Sequence, residues 1–221
     1  MRVFQSKFYQ YMDKFSDFVI LNLIWLIMCI PIVTIFPATA AMFSVIRKWI
    51  VKKEVHVTSS FFMFFKENLK QGFSIGLVWS LLGTILVTNL IIVQHMNGYL
   101  YVFSNFIFCL IFFLYLCTSI YLFPVMVHYK LTWTAVIKTS FLLSISQFIK
   151  TILAMLVFIL MCLLIIIFPF LFFILFSAAA YIIYLICHKA FEEIEKIKRS
   201  GKDYSTLNST ISNNRLTENI N

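Results

Sequence analysis

The sequence predicts an all-α, polytopic helical membrane protein, and both its composition and the distribution of its charges indicate this fold class. Apolar residues make up 62% and charged residues 12% of the 221 residues, against about 45–50% and about 25% in typical soluble proteins. A single soluble core has too few interior positions for so many apolar side chains. The same composition excludes a disordered chain.

Three long runs of the chain lack Lys, Arg, Asp and Glu, namely residues 18–46, 71–129 and 151–188. A helix needs about 20 apolar residues to cross a hydrocarbon core about 30 Å thick, so the second and third runs each hold two crossings. A polar Asn-Gly turn at 94–98 divides the second run, and Pro169 divides the third. The sequence therefore predicts four full transmembrane helices, over residues 73–93, 101–125, 151–168 and 170–187.

The first charge-free run is long for one crossing and short for two. It contains Pro31 and Pro37, and proline both lacks a backbone donor and disfavours helix in the residue before it. We predict a Pro-broken helix or hairpin over residues 18–50, whose second helix begins at Pro37. A single crossing is the alternative. A leader cleaved after residue 40 is less favoured, because leaders usually have about 15–30 residues.

The Lys and Arg residues predict the orientation in the membrane. They number three before residue 18, six in 47–70, three in 130–150 and six after 188, with none in the two turns at 94–100 and at Pro169. The positive-inside rule places such basic regions in the cytoplasm. We expect a multi-pass protein of the plasma membrane with a cytoplasmic carboxyl terminus and, given the hairpin, a cytoplasmic amino terminus. Its partner is then the lipid bilayer; nucleic acid is not expected, because the cations are scattered over membrane-flanking loops.

Two cytoplasmic loops contain apolar stripes that are typical of amphipathic helices lying in the membrane interface. The stripe residues are Phe61, Phe62, Phe65 and Leu69 in the first loop, and Trp133, Ile137, Phe141 and Phe148 in the second. Gly72 is predicted to end the first of these helices. Residues 1–200 form a single helical membrane domain in this interpretation, and residues 201–221, rich in Asn, Ser and Thr, form a disordered polar tail.

No pattern in the sequence indicates catalysis or a bound cofactor. The five cysteines lie in apolar stretches, and the four histidines are far apart in sequence: His56, His95, His128 and His188. Walker, glycine-rich and G-x-S-x-G motifs are missing from the sequence. No carboxylate lies inside a predicted span, which disfavours an ion-coupled carrier. We therefore predict no enzyme activity and no catalytic, cofactor-binding or metal site.

One predicted helix carries a ridge of small side chains at every fourth position. The ridge consists of Gly72, Gly76, Ser80, Thr84 and Thr88. Such spacing lets another helix backbone approach closely. We expect this partner to be a helix of the same chain rather than a second copy. Three amides are the best candidates for lining a cavity, namely Asn22, Asn89 and Asn105.

The first run also carries a distinctive block of residues. It reads Phe36-Pro37-Ala38-Thr39-Ala40-Ala41-Met42, followed by Arg47-Lys48-Trp49. This block resembles the YesL family of bacterial integral membrane proteins, and the resemblance continues into residues 138–145. It implies a membrane protein of unknown biochemical activity. Members of that family commonly accompany bacterial carbohydrate-uptake and polysaccharide-utilisation systems.

Three functions are compatible with these observations. The favoured one is an accessory or scaffold component that works beside a carbohydrate transporter or sensor. The alternative is a small-solute, sugar-related transporter or facilitator, although the loop at 134–140 lacks the Glu and Gly of an ABC-permease docking loop. A membrane enzyme is the least favoured, because no acid, base or metal set is clustered in the sequence.

Overall fold

The protein is an all-α polytopic helical membrane protein, as predicted. A computed structural model describes residues 2–51, 56–93, 99–129 and 131–218, and these ranges contain no strand. The α-helices are α1 (Arg2–Cys29), α2 (Ile35–Ile50), α3 (Val57–Val93), α4 (Tyr99–His128), α5 (Trp133–Ser146), α6 (Phe148–Ile167) and α7 (Phe172–Glu218). Within the described ranges, five segments are long and apolar enough to cross a membrane: Ile32–Ile50, Val57–Asn89, Val102–His128, Phe148–Ile167 and Pro169–Ile197. The predicted turn at 94–98 lies outside the described residues.

The amino-terminal run forms the predicted bent hairpin. Helix α1 ends at Cys29, just before Pro31, and a 3₁₀ turn over Ile32–Thr34 leads into α2. The Thr34 hydroxyl donates a hydrogen bond to the Met28 carbonyl (2.5 Å), which satisfies an orphan acceptor at the end of α1. Pro37 lies in the first turn of α2, where its missing N–H costs no hydrogen bond.

Helix α2 is the buried centre of the bundle. Every residue from Pro37 to Ile46 is buried. The helix contacts α1, α3, α4 and α7, and its three alanines keep it thin enough for these neighbours to approach from several sides. Trp25 of α1 donates its indole N–H to the Thr39 hydroxyl at 3.2 Å, so a polar group of this buried helix is also paired.

Helix α3 is continuous, and the predicted stop at Gly72 is wrong. The interfacial helix expected over residues 61–70 and the span expected over 73–93 form one helix, Val57–Val93. Gly72 instead provides a close contact, because a Cβ built on it would lie 2.9 Å from the Pro37 Cα. Phe61 and Phe65 of the predicted interfacial stripe belong to the buried core, whereas Phe62 and Leu69 are exposed.

The small-residue ridge on α3 divides into two parts. Gly72 and Gly76 are buried, and a Cβ on Gly76 would lie 2.5 Å from the Phe36 ring. Ser80, Thr84 and Thr88 are exposed, and each hydroxyl donates to a carbonyl of its own helix. Only the glycine end of the ridge therefore packs against another helix of the described chain.

Helix α5 is separate, as predicted, and packs chiefly against α4. Its buried face is not the aromatic stripe. Trp133 and Phe141 are exposed, and so is Phe148 at the start of α6. The buried residues of α5 are Val136, Ser140, Leu143 and Ser144, because small hydroxyl side chains permit a closer helix–helix approach than aromatic rings do.

Helices α6 and α7 form the predicted hairpin at Pro169, which opens a short 3₁₀ turn. Both differ in length from the prediction. Helix α6 begins three residues early, at Phe148, and α7 is a single helix of 47 residues, Phe172–Glu218. The sequence predicted a span ending at residue 187 and a disordered tail from residue 201. Helix α7 runs past the expected end of the span and ends at Glu218, and no proline interrupts its backbone hydrogen bonds.

We predict that Gly76→Leu destabilises the protein by about 1–3 kcal/mol, because the new side chain must displace the Phe36 ring and separate α2 from α3. Thermal unfolding in detergent measures this change. Ser80→Leu is the matched control, since it adds similar bulk one turn later at an exposed position. Leu77→Ala, at a residue that is 55% exposed, is also expected to be milder. Equal losses of thermal stability in Gly76→Leu and Ser80→Leu would contradict the close contact between Gly76 and Phe36.

Candidate functional site: a polar cluster where the helices meet

Ionisable side chains from α2, α4 and α7 meet at one place in the bundle. We call this group the histidine cluster; it consists of Arg47, His128, Tyr184, His188 and Glu195. Arg47 lies in the last turn of α2 and His128 in the last turn of α4. The other three residues lie along one stretch of α7, at spacings of four and seven that place them on one helix face.

His128 is the centre of the cluster. Its Nδ1 lies 3.4 Å from the Tyr184 hydroxyl, and its Nε2 lies 3.7 Å from a Glu195 carboxylate oxygen. The His128 side chain is 16% exposed, and the Tyr184 side chain is fully buried. The imidazole therefore connects the end of α4 to two successive parts of α7.

Arg47 and His188 complete the cluster. Arg47 is near enough to Tyr184 and His128 for its positive charge to act on both side chains. The rings of His128 and His188 have centroids 5.8 Å apart, and His188 Nε2 lies 3.6 Å from the Glu192 carboxylate one turn later. Two buried nitrogen atoms, Arg47 Nε and His188 Nδ1, have no hydrogen-bond partner among the described residues.

Aromatic rings and a further ion pair surround the cluster. Phe191 packs against both His128 (4.7 Å between centroids) and Tyr129 (5.4 Å). Burial, followed by the nearby Glu195 carboxylate, raises the pKa of Tyr129, so this phenol stays neutral at physiological pH. Lys150 at the start of α6 forms an ion pair with Glu193 of α7. Helices α4, α6 and α7 are thereby connected near the histidine cluster.

The geometry of the cluster favours a role in connecting the helices non-covalently over a role in metal binding. His128 Nε2 and His188 Nε2 each face a different carboxylate, Glu195 and Glu192, so the two imidazoles do not converge on one point. Within the described ranges, no group of three or more His, Cys, Asp or Glu side chains is arranged to hold a metal ion. The five cysteines are free thiols.

The structure assigns different roles to the two halves of the motif found in the sequence. Phe36 is half-buried, and residues 37–42 form the core of α2. The basic half lies at the end of that helix: Arg47 joins the histidine cluster, Lys48 lies 4.5 Å from the Phe64 ring centroid, and the Trp49 ring meets that of Phe18 edge to face at 5.1 Å.

Sequence reasoning missed the histidine cluster because it compared the histidines by their distance along the chain. His128 and His188 are 60 positions apart, yet each follows directly on a long apolar run. Two polar residues at the same end of neighbouring spans lie at similar depth, and this signal was available. His56 is exposed, and His95 lies outside the described residues.

The three candidate amides do not come together. Asn22 is fully buried and donates its amide N–H to the Phe172 carbonyl at 2.8 Å. Asn89 donates to the Ile85 carbonyl within its own helix. Asn105 accepts a long contact from the Cys109 thiol. Asn22 therefore connects α1 to α7, and the other two are local to α3 and α4.

We predict that Tyr184→Phe lowers the free energy of unfolding by about 1–3 kcal/mol, because it removes the hydroxyl that faces His128 and Arg47 in a buried site. Denaturant titration in mixed micelles measures this change. Tyr181→Phe is the matched control: it is the same substitution on the same helix, at a half-buried residue whose ring packs against Phe18. We expect a change below about 0.5 kcal/mol there. Equal effects of the two substitutions would show that the hydroxyl does not stabilise the cluster.

Comparison with known proteins gives a family match and a relative without an assigned function. Residues 18–90 match the family described as "Protein of unknown function, DUF624". The chain is also 32% identical over 142 residues to "Uncharacterized protein YteU" of Bacillus subtilis (strain 168), an alignment that covers 62% of this chain and 64% of the relative. The match thus spans less than two thirds of that relative's length. No solved structure matches the chain.

Proposed function

We propose that this protein is an accessory or scaffold component of the bacterial plasma membrane that works beside a carbohydrate-uptake or carbohydrate-utilisation system. The motif in residues 36–49 supports this proposal through its resemblance to the YesL family. The match to a family of unknown function includes the same residues. Within that wider family, we propose that this protein is a YesL-type member.

The length of α7 is the observation that best supports a scaffold role. Its 47 residues give a helix about 70 Å long at about 1.5 Å per residue, whereas the hydrocarbon core is only about 30 Å thick. The remaining length extends beyond the bilayer. Such a helix offers a partner protein a docking surface outside the membrane, on the side where α7 carries the histidine cluster.

A sugar-related transporter or facilitator is the second candidate, and the positions of the polar side chains make it less favoured. A sugar site needs several convergent hydrogen-bonding groups. The candidate amides Asn22, Asn89 and Asn105 are each engaged at a separate place. A membrane enzyme is less favoured still, because the ionisable groups of the histidine cluster mostly face one another, and we propose that the protein is not an enzyme.

Co-purification from native membranes is expected to recover a stoichiometric membrane or sugar-binding partner with the full chain. A variant truncated after residue 200 should lose that partner, because it lacks the extension of α7. Sugar flux into vesicles that contain only the purified protein would instead support the transporter, and recovery of the same partner by the truncated variant would contradict the scaffold role of α7.

The packing of α1 supports a cytoplasmic amino terminus. Phe18 contacts both Trp49 at the end of α2 and Tyr181 of α7. Ser177 of α7 hydrogen-bonds to Phe18, whereas Asn22, which comes later in α1, hydrogen-bonds to Phe172, which comes earlier in α7. Helices α1 and α7 are therefore antiparallel. The start of α1 therefore lies on the same side as the carboxyl-terminal part of α7, and the basic residues of both segments favour the cytoplasm.

A cysteine placed at Ser6 in a cysteine-free variant is expected to stay unlabelled by an impermeant maleimide in intact cells and to react after the membrane is permeabilised. A cysteine at Asn97, in the uncharged turn expected outside, is the positive control. Labelling at Ser6 in intact cells would place the amino terminus outside and overturn the proposed orientation.

A further inference from the structure

A groove of about 630 Å³ lies between α3, α4 and α5. Its walls include Leu82 and Ile85 of α3 and Ile111 of α4, and each of these side chains is more than 40% exposed. They belong to the segments Val57–Asn89 and Val102–His128, which are apolar enough to cross a membrane. The volume lies in the range of ligand sites, about 300–1,000 Å³.

The floor of the groove presents carbon rather than polar atoms. Trp79 and Tyr115 stack there with ring centroids 4.7 Å apart. The Trp79 indole N–H donates to the Ser119 hydroxyl at 2.9 Å, and the Tyr115 hydroxyl donates to the Trp79 carbonyl at 3.1 Å. Both polar groups are thereby used within the protein, so this part of the groove suits an apolar chain.

One wall of the groove includes a lysine, which lines it through the carbon atoms of its side chain. Helix α5 contributes Thr134 and Lys138, one turn apart on the same face, and none of the described residues that line the groove is a carboxylate. Lys138 is exposed and forms no ion pair within the described part of the chain. Trp133 also lines the groove and is 44% exposed, and tryptophan is typical of the level of lipid headgroups.

We propose that this groove binds an anionic phospholipid, with an acyl chain along α3 and α4 and the phosphate at the Lys138 ammonium and the Thr134 hydroxyl. The apolar floor and the Lys138 cation beside it match the two chemically distinct halves of such a lipid. Basic pockets between membrane helices recognise anionic headgroups by this combination of charge and shape.

The test uses the purified full-length protein in detergent with equal amounts of phosphatidylglycerol and phosphatidylcholine, and retained lipids are counted by native mass spectrometry. The wild type is expected to retain phosphatidylglycerol about fivefold better, the factor for one lysine near an anionic site. Lys138→Gln should abolish this preference. Lys66→Gln, at an exposed cation of α3 outside the groove, should retain it. Equal losses in the two variants would indicate general surface attraction and overturn the proposal.

A second pair of variants tests the acyl-chain part of the groove. Ile111→Trp fills it without changing charge and should reduce retention of both lipids, whereas Leu110→Trp, at the neighbouring exposed residue outside the groove, should not. Unchanged retention in Ile111→Trp would overturn the proposed location. If the wild type retained no lipid and Ile111→Trp changed the oligomeric state, the groove would be assigned to a second copy of the chain. That result would also overturn the proposal.

Discussion

At Gly72 and Gly76 the backbone of α3 comes so close to Phe36 and Pro37 that neither position has room for a side chain. This contact lets α2 lie in the middle of the bundle, where it also reaches α1, α4 and α7. With larger side chains at these two positions, α2 and α3 would have to move apart. The packing of every neighbouring helix therefore depends on two missing Cβ atoms.

The same placement explains the histidine cluster. Because α2 is central, the cation in its last turn, Arg47, lies near enough to Tyr184 of α7 and His128 of α4 for its charge to act on both. Buried ionisable groups are costly unless they are paired, and here His128 of α4 faces both Tyr184 and Glu195 of α7. The cluster thus connects the end of α4 to two turns of α7 close to the end of α2.

The sequence was sufficient to predict the class, the hairpins and the break at Pro169, because charge and proline act locally and independently of the partner helix. It failed at Gly72, since a glycine serves equally as a helix stop or as a contact, and only the position of Pro37 distinguishes the two. It also failed at Phe61 and Phe65, where an apolar stripe faces protein rather than membrane. His128 and His188 meet through tertiary packing of α4 on α7, which spacing along the chain does not encode.

The bonds between α1 and α7 join residues 150 and 159 positions apart in the chain. Since synthesis proceeds from the amino terminus, the hairpin of α1 and α2 enters the membrane well before the helix that covers it exists. During this interval Asn22 has no carbonyl of Phe172 to bind, and one side of the hairpin faces lipid or the insertion machinery. The contacts that hold α1 in the bundle therefore form only after α7 has been made, and until then the new hairpin lacks its packing partner.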